Sequence, residues 1–491
     1  MQACYEEFLR KGFVSPNDPG VMGEDDSSSI QNAINLALES GVGRVEIPRY
    51  NQRTGQLQWV FTKTVLLRSN LEVVLDNCYL YMADGVYEGF FRTDNMFREE
   101  GLYRDEEYTN IHILGKGTAV LDGGKPNGLD ESTQMKNGLP HVVVNTPILF
   151  FNVRYFSVKN LTIRNQRYWG MRFAFCKCGH VSNISLFAIR DRSNQDGINL
   201  RNGCHHVQIE NVYGQTGDDM IALSAIDIAR EDRFNMYDPD QCPDIHDVIV
   251  RNISGCALVH PLVTIRNHDG AKVYNILIEN IQDTDPLEPW LVISTAEGEK
   301  LFHTMHIASI TDPTVVREMG MFREFKYGLI RIGDAGYFKK KPSTMGDASK
   351  ITIRNAVCST SDRAIVVGCT IRDSRFSGIR ASGDCRCILG TSPVDMDGGP
   401  GVQLENVILE DALLENVAIA DSTVLDFCNQ REGDYIRGLQ LRDIRARKAD
   451  HLMMVSGEVQ VRLDNVVCEE LQGQRIWCQN ETDAVSITER E

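Results

Sequence analysis

The sequence predicts an all-β protein wound as a parallel β-helix, and three observations predict it. First, short β phrases alternate apolar and polar residues and recur. Asn160-Leu161-Thr162-Ile163 is echoed by Asn183-Ile184-Ser185-Leu186 and by His206-Val207-Gln208-Ile209, each step being 23 residues. Second, the phrases are divided by turns of Asn, Gly, Asp and Ser. Third, the echoes continue down the chain at wider intervals, at Asp247-Val248-Ile249-Val250, Asn275-Ile276-Leu277-Ile278 and Lys350-Ile351-Thr352-Ile353. Weaker ones follow at Val402, Leu414, Gly438 and Val459. One such coil cannot bury its inward face, whereas a stack of coils can. A propeller blade needs about 40–45 residues, which this period does not supply.

The elements follow in order. Residues 1–56 form the cap region. Ser27 or Ser28 caps a helix whose apolar face is Ile30, Ile34, Ala37 and Leu38, and Gly41 and Gly43 end it. Arg44 to Pro48 is then a strand. Such a helix covers the open end of a solenoid, hiding core and strand edges. Residues 57–475 hold the coils, beginning with phrases at Trp59–Phe61, Leu71–Leu75 and Ile111–Leu114 and a strand into a tight turn at 117–124. Inserts are expected at 97–108, 227–246 and 281–327, and a C-terminal tail at 476–491. The whole reads as one β-helix domain.

Composition bounds the function. The net charge of −17 opposes nucleic-acid and anionic-membrane partners, which need a basic surface. Any site for an acidic ligand must build its positive charge locally. The 14 cysteines follow no regular framework and read as reduced, buried thiols. Cys176-x-Cys178 and Cys385-x-Cys387 lack zinc-knuckle spacing, so no metal is expected. The N-terminal MQACYEEFLRKGF has no apolar signal region and no stretch of eighteen apolar residues occurs. A cytoplasmic location is expected of the chain as given, with secretion open if a leader has been removed. No nucleotide-binding glycine motif stands between a strand and a helix, and no cofactor is expected.

The chemistry is concentrated in 193–223, SNQDGINLRNGCHHVQIENVYGQTGDDMIAL. Asp196 precedes the pair Asp218 and Asp219 by 22 and 23 residues, about one coil. In either phrase alone these are ordinary turn residues. Together, at one-coil spacing, they form a stacked set of carboxylates, the apparatus of glycosidic bond cleavage. The trio is expected to converge on one solvent-open cleft.

These phrases resemble those of the family 28 glycoside hydrolases, the polygalacturonase-like right-handed β-helices. Asn194-Gln195-Asp196-Gly197 and Gly217-Asp218-Asp219-Met220 carry the resemblance, with Trp169 ahead of the first and Ile221-Ala222-Leu223-Ser224 after the second. Val259-His260-Pro261-Leu262 looks like the family's histidine turn with both flanking glycines replaced. Gly328-Leu329-Ile330-Arg331-Ile332-Gly333 looks like its Arg-Ile-Lys turn with the lysine replaced by Gly333.

The resemblance implies an inverting hydrolase, with Asp218 as general acid and Asp196 with Asp219 as the water-activating pair. Inversion needs the carboxyls about 6.5–9.5 Å apart. Crowding raises the pKa of at least one, as a general acid requires. His260 then tunes the acid or holds a hydroxyl, and Arg331 binds a substrate oxygen or carboxylate. Arg266 is a stand-in for the missing cation, and Asn194 belongs to the binding set. Tyr168 and Trp169 suit either a sugar face or a core. The expected partner is a pectin-type or neutral oligosaccharide, cut in exo fashion because the inserts wall the groove. The sequence leaves oligomeric state open. A polysaccharide lyase on the same fold, or a glycan-binding β-helix without catalysis, are the alternatives.

Overall fold

Parallel strands account for most of the regular structure in the computed structural model, which describes residues 2–96, 106–130, 138–188, 194–226, 240–257, 261–284, 290–295, 298–303, 328–333, 343–391, 402–417, 420–428, 433–479 and 484–490. They fall into two compact units. One takes the described residues up to Thr216 with 240–242; the other takes 217–226 and the described residues from Pro243 on.

In the first unit, long strands lie side by side in parallel order: Arg44–Pro48, Leu71–Asp76, Tyr108–Lys116, Val153–Arg164, Lys177–Phe187 and His205–Thr216. A second sheet stacks Val65–Leu67, Phe91–Thr93, Ile148–Phe151, Met171–Ala174 and Ile198–Arg201, again all parallel. The chain passes from one sheet to the other in each coil, which is the winding of a parallel β-helix. Inward residues form continuous ladders, such as Phe150, Phe173 and Leu200 at one register. Phe156 stacks on Phe173 with ring centroids 4.8 Å apart. Its cross-strand partner in the next coil is Gly179, where a Cβ would fall 2.1 Å from the Phe156 ring. Only glycine leaves room for that ring.

The register corrects one expected echo. Leu161 pairs with Ile184 as expected, but Ile184 pairs with Val212, and Val207 pairs with Gly179. The partner of Asn160 and Asn183 is therefore Asn211, and this coil takes 28 residues, not 23. The three strands Val153–Arg164, Lys177–Phe187 and His205–Thr216 each bend at two left-handed residues. Tyr155, Cys178 and His206 form one series and Asn160, Asn183 and Asn211 the other, all with φ between 54° and 60°. Asparagine tolerates that conformation and its side chain then repays it. Asn183 Nδ2 donates to Asn160 Oδ1 at 2.8 Å and Asn211 Nδ2 to Asn183 Oδ1 at 3.0 Å.

The second unit repeats the plan. Ile245–Ala257, Val273–Asp283, Ala348–Cys358, Thr370–Gly383, Gln403–Val417, Tyr435–Arg447, Glu458–Glu469 and Ala484–Arg490 form one parallel array. Ile221–Ile226, Val263–His268, Ile330–Ile332, Arg363–Val367, Cys387–Thr391, Thr423–Phe427, His451–Val455 and Ile476–Cys478 form the other. Here the echoes at 247, 275 and 350 keep register, since Val248, Ile276 and Ile351 are aligned. The segment expected as a tail supplies the last strand of each array: the coil pattern continues beyond residue 475, with Met453 pairing to Ile476 and Val459 to Val485. The insert 281–327 includes an antiparallel hairpin, Trp290–Thr295 with Gly298–His303. Residues 97–105, 227–239 and 304–327 of the three inserts lie outside the described residues.

The capping helix spans Asp26–Glu39, and its N-cap is Asp25 rather than Ser27 or Ser28. Asp25 wins because its carboxylate accepts from Ser28 N at 2.7 Å and from Thr62 Oγ1 at 2.6 Å. Ser27 instead accepts from Thr62 N at 2.9 Å, pinning the helix to the first coil. A helix at Gln2–Lys11, which lacks a cap signal, escaped sequence reading.

Candidate active site

In the first unit the phrase 194–197 leads into the strand Ile198–Arg201. Asn194 takes a left-handed turn at φ 63°, and Asp196 stands two residues before the strand. The backbone of Asp196 is fixed to the preceding coil: Gly170 N donates to its carbonyl at 2.9 Å and Gln166 Nε2 at 3.2 Å, while Gln195 Nε2 returns a bond to Gln166 O at 3.1 Å. The residue is 3% exposed.

Trp169 does not offer a face to a sugar. It is 4% exposed and stacks on Tyr168 with centroids 5.1 Å apart, while the guanidinium carbons of Arg172 and Arg201 lie 4.9 and 5.3 Å from its ring. It packs with Phe151, Ala174, Phe175 and the 3-10 helix Val142–Asn145. Its role is to cover the outer face of the short sheet. The buried arginines Arg172 and Arg201 were missed by sequence reading; the signal was a lone charge in each of the apolar phrases Met171–Ala174 and Ile198–Arg201.

In the second unit, Asp219 likewise stands two residues before its strand, Ile221–Ile226. Asp218 Oδ1 accepts from Asp219 N at 2.9 Å, which fixes the turn. The neighbouring strand Val263–His268 then supplies two side chains on one face, because alternate residues point the same way. Thr264 Oγ1 donates to Asp219 Oδ1 at 2.5 Å, and Arg266 Nη2 lies 3.3 Å from Asp219 Oδ2. Asp218 is 6% and Asp219 1% exposed. Each aspartate is thus buried within its own unit, Asp196 in the first and Asp218 and Asp219 in the second. Arg266, expected as a ligand for substrate, faces a carboxylate of the protein itself. Thr264 was missed, although its place two residues before Arg266 marked it.

Arg331 is in register with Thr264 and is 1% exposed, with Nε donating to Gly333 O at 3.1 Å. Gly333 has φ 86°, and a Cβ there would come within 2.2 Å of Cys369 Cβ. The backbone at this point has no room for the lysine of the Arg-Ile-Lys pattern. His260 lies outside the described residues, as do Lys339, Lys340 and Lys341. The cysteine pairs do not form ligand sets: Cys176 is buried and Cys178 exposed, while Cys385 and Cys387 are buried with their thiols directed at backbone carbonyls. Burial pushes the Cys387 thiol well up.

With the fold and these side chains in view, the chain can be set beside known proteins. Residues 95–231 match the family model described as Glycosyl hydrolases family 28, and that stretch includes Asp196, Asp218 and Asp219. Among solved structures the chain is similar to the Yersinia enterocolitica family 28 exopolygalacturonase, at 13% identity and TM-score 0.50, over 96% of this chain and 78% of that one. It is also similar to PfbA, a surface protein and adhesin of Streptococcus pneumoniae, at 12% identity and TM-score 0.51, over 95% and 99%. A third is the catalytic domain of a GH87 alpha-1,3-glucanase, at 11% and 0.51, over 97% and 67%. The fold class they share is the right-handed parallel β-helix.

The class defined by the family 28 segment is a glycoside hydrolase.

Proposed function

We propose that the protein hydrolyses pectin-type oligosaccharides with inversion, acting from a chain end, with Asp218 as general acid and Asp196 and Asp219 as the water-activating pair. The observation that carries this reading is that the family 28 match encloses all three aspartates. Further support comes from their settings. A base must stay ionised in a dry site, and burial alone would disfavour its charge. Asp219 has a hydroxyl on one oxygen and a guanidinium near the other, as a carboxylate base requires. The donor role of Asp218 rests on the resemblance of Gly217-Asp218-Asp219-Met220 to the family's acid phrase.

Chain-end action is the reading suggested by the long inserts that follow the acid turns. The Yersinia protein of similar fold is itself an exopolygalacturonase. For the sugar, Arg331 keeps half of the expected pair of cations while position 333 cannot supply the other. A uronate with a single cationic contact and a neutral sugar both fit that site.

The experiment is a panel of pectic and neutral oligosaccharides, with reducing ends followed for wild type and for Asp218→Asn, Asp196→Asn and Asp219→Asn. Each substitution should lower kcat by about 100-fold or more. An unchanged rate in Asp218→Asn would leave the glycan-binding reading, which the likeness to the PfbA adhesin favours. An unsaturated, ultraviolet-absorbing product would point to a lyase.

A further inference from the structure

We infer that Arg266 is a positioning residue for the water-activating carboxylate: with Thr264 it holds Asp219 ionised and oriented, and it does not bind the sugar. The inference rests on the assignment of Asp219 as a base. Its ground is the way one strand grips both oxygens of one carboxylate. Thr264 and Arg266 sit on the same face of Val263–His268, and each takes a different oxygen of Asp219. Strand pairing makes this arrangement stiff, because Ala222 is opposite Thr264 and Ser224 is opposite Arg266. Asp219 Oδ1 at 2.5 Å from the Thr264 hydroxyl fixes the plane of the carboxylate. The guanidinium 3.3 Å from Oδ2 offsets the cost of an anion that is 1% exposed.

Arg266 has the wrong setting for a substrate cation. Its side chain is only 18% exposed and it already faces an acid at ion-pair distance. A planar guanidinium can approach Oδ2 while Thr264 occupies Oδ1, so one strand orients the carboxylate from both oxygens. In this arrangement the arginine acts in the step that activates water, so its loss falls on turnover.

The test compares wild type with Arg266→Ala, Arg266→Lys and Thr264→Val on the best oligosaccharide from the panel, with circular dichroism and thermal melting confirming that each is folded. Arg266→Ala should lower kcat by at least about tenfold with KM within about twofold of wild type. Arg266→Lys should recover part of that loss. Millimolar guanidinium should raise kcat of Arg266→Ala and leave Asp219→Asn unchanged. A raised KM with unchanged kcat in Arg266→Ala would make it a substrate ligand and overturn the inference. An unchanged kcat and KM would reduce it to a structural ion pair, with the same result. If Arg266→Ala does not fold, Arg266→Lys and Thr264→Val decide by the same split. Wild type without hydrolytic activity on any sugar fails the hydrolase reading itself; an active wild type with an indifferent Arg266 fails only this inference.

Discussion

A side chain at position 333 has nowhere to go. The left-handed backbone and the Cys369 side chain both exclude it, so the change from the family's lysine is built into the coil and is not a simple surface exchange. Gly333→Lys should therefore destabilise the fold by at least about 2 kcal/mol, measured by urea unfolding, and should not lower KM for galacturonides. A stable, tighter-binding variant would contradict this. At the other end of the chain, burial pushes the Asp25 carboxyl up, but hydrogen bonds from Ser28 and Thr62 outweigh it and hold the group down at about 2. The sign follows from that depression. Its contribution is whole above the ordinary value of 3.8 and is lost as pH falls through about 2. Asp25→Ala should cost about 1 kcal/mol near neutrality, and the gap from wild type should close on acid titration. Residue by residue, the three aspartates stood out because they sit in short Gly-flanked turns about one coil apart. Arg266's partner was not, since an ion pair across two strands depends on register.

Elements were read with mixed success, for a physical reason. Each long strand has two halves, and both show the same apolar alternation. Tyr155-Phe156-Ser157-Val158 and Asn160-Leu161-Thr162-Ile163 look alike on paper, yet only the second carries the asparagine ladder. That is why His206 was taken for the echo of Asn183 when Asn211 is its partner. The ladder, not the apolar pattern, sets the period. Gly179→Ala tests the packing this implies: a methyl group would meet the Phe156 ring, and the fold should lose about 1–3 kcal/mol by thermal or urea melting. Trp169→Ala tests the covering of the short sheet. Emptying that buried site should cost about 3–5 kcal/mol without the selective rise in KM that losing a sugar platform would give.

For the molecule as a whole, charge and chemistry pull in opposite directions. A net charge of −17 repels a polyanionic pectin chain, while the proposed uronate site includes only one buried cation, Arg331. Added salt screens repulsion over distances beyond about 10 Å. KM for polygalacturonate should therefore fall as ionic strength rises, while KM for a neutral oligosaccharide stays level; the opposite trend would mean that local cations dominate. The fold class was legible from the repeat, because a coil that cannot bury its own face must stack. The sugar was not legible, because the coil framework is shared with an adhesin and with a glucanase and specificity resides in a few outward side chains. The central claim is hydrolysis with inversion by the three aspartates. It is tested most directly by proton NMR of the first-formed product from a defined α-linked oligogalacturonide: the β-anomer should appear first and mutarotate later, whereas an initial α-anomer would contradict the account.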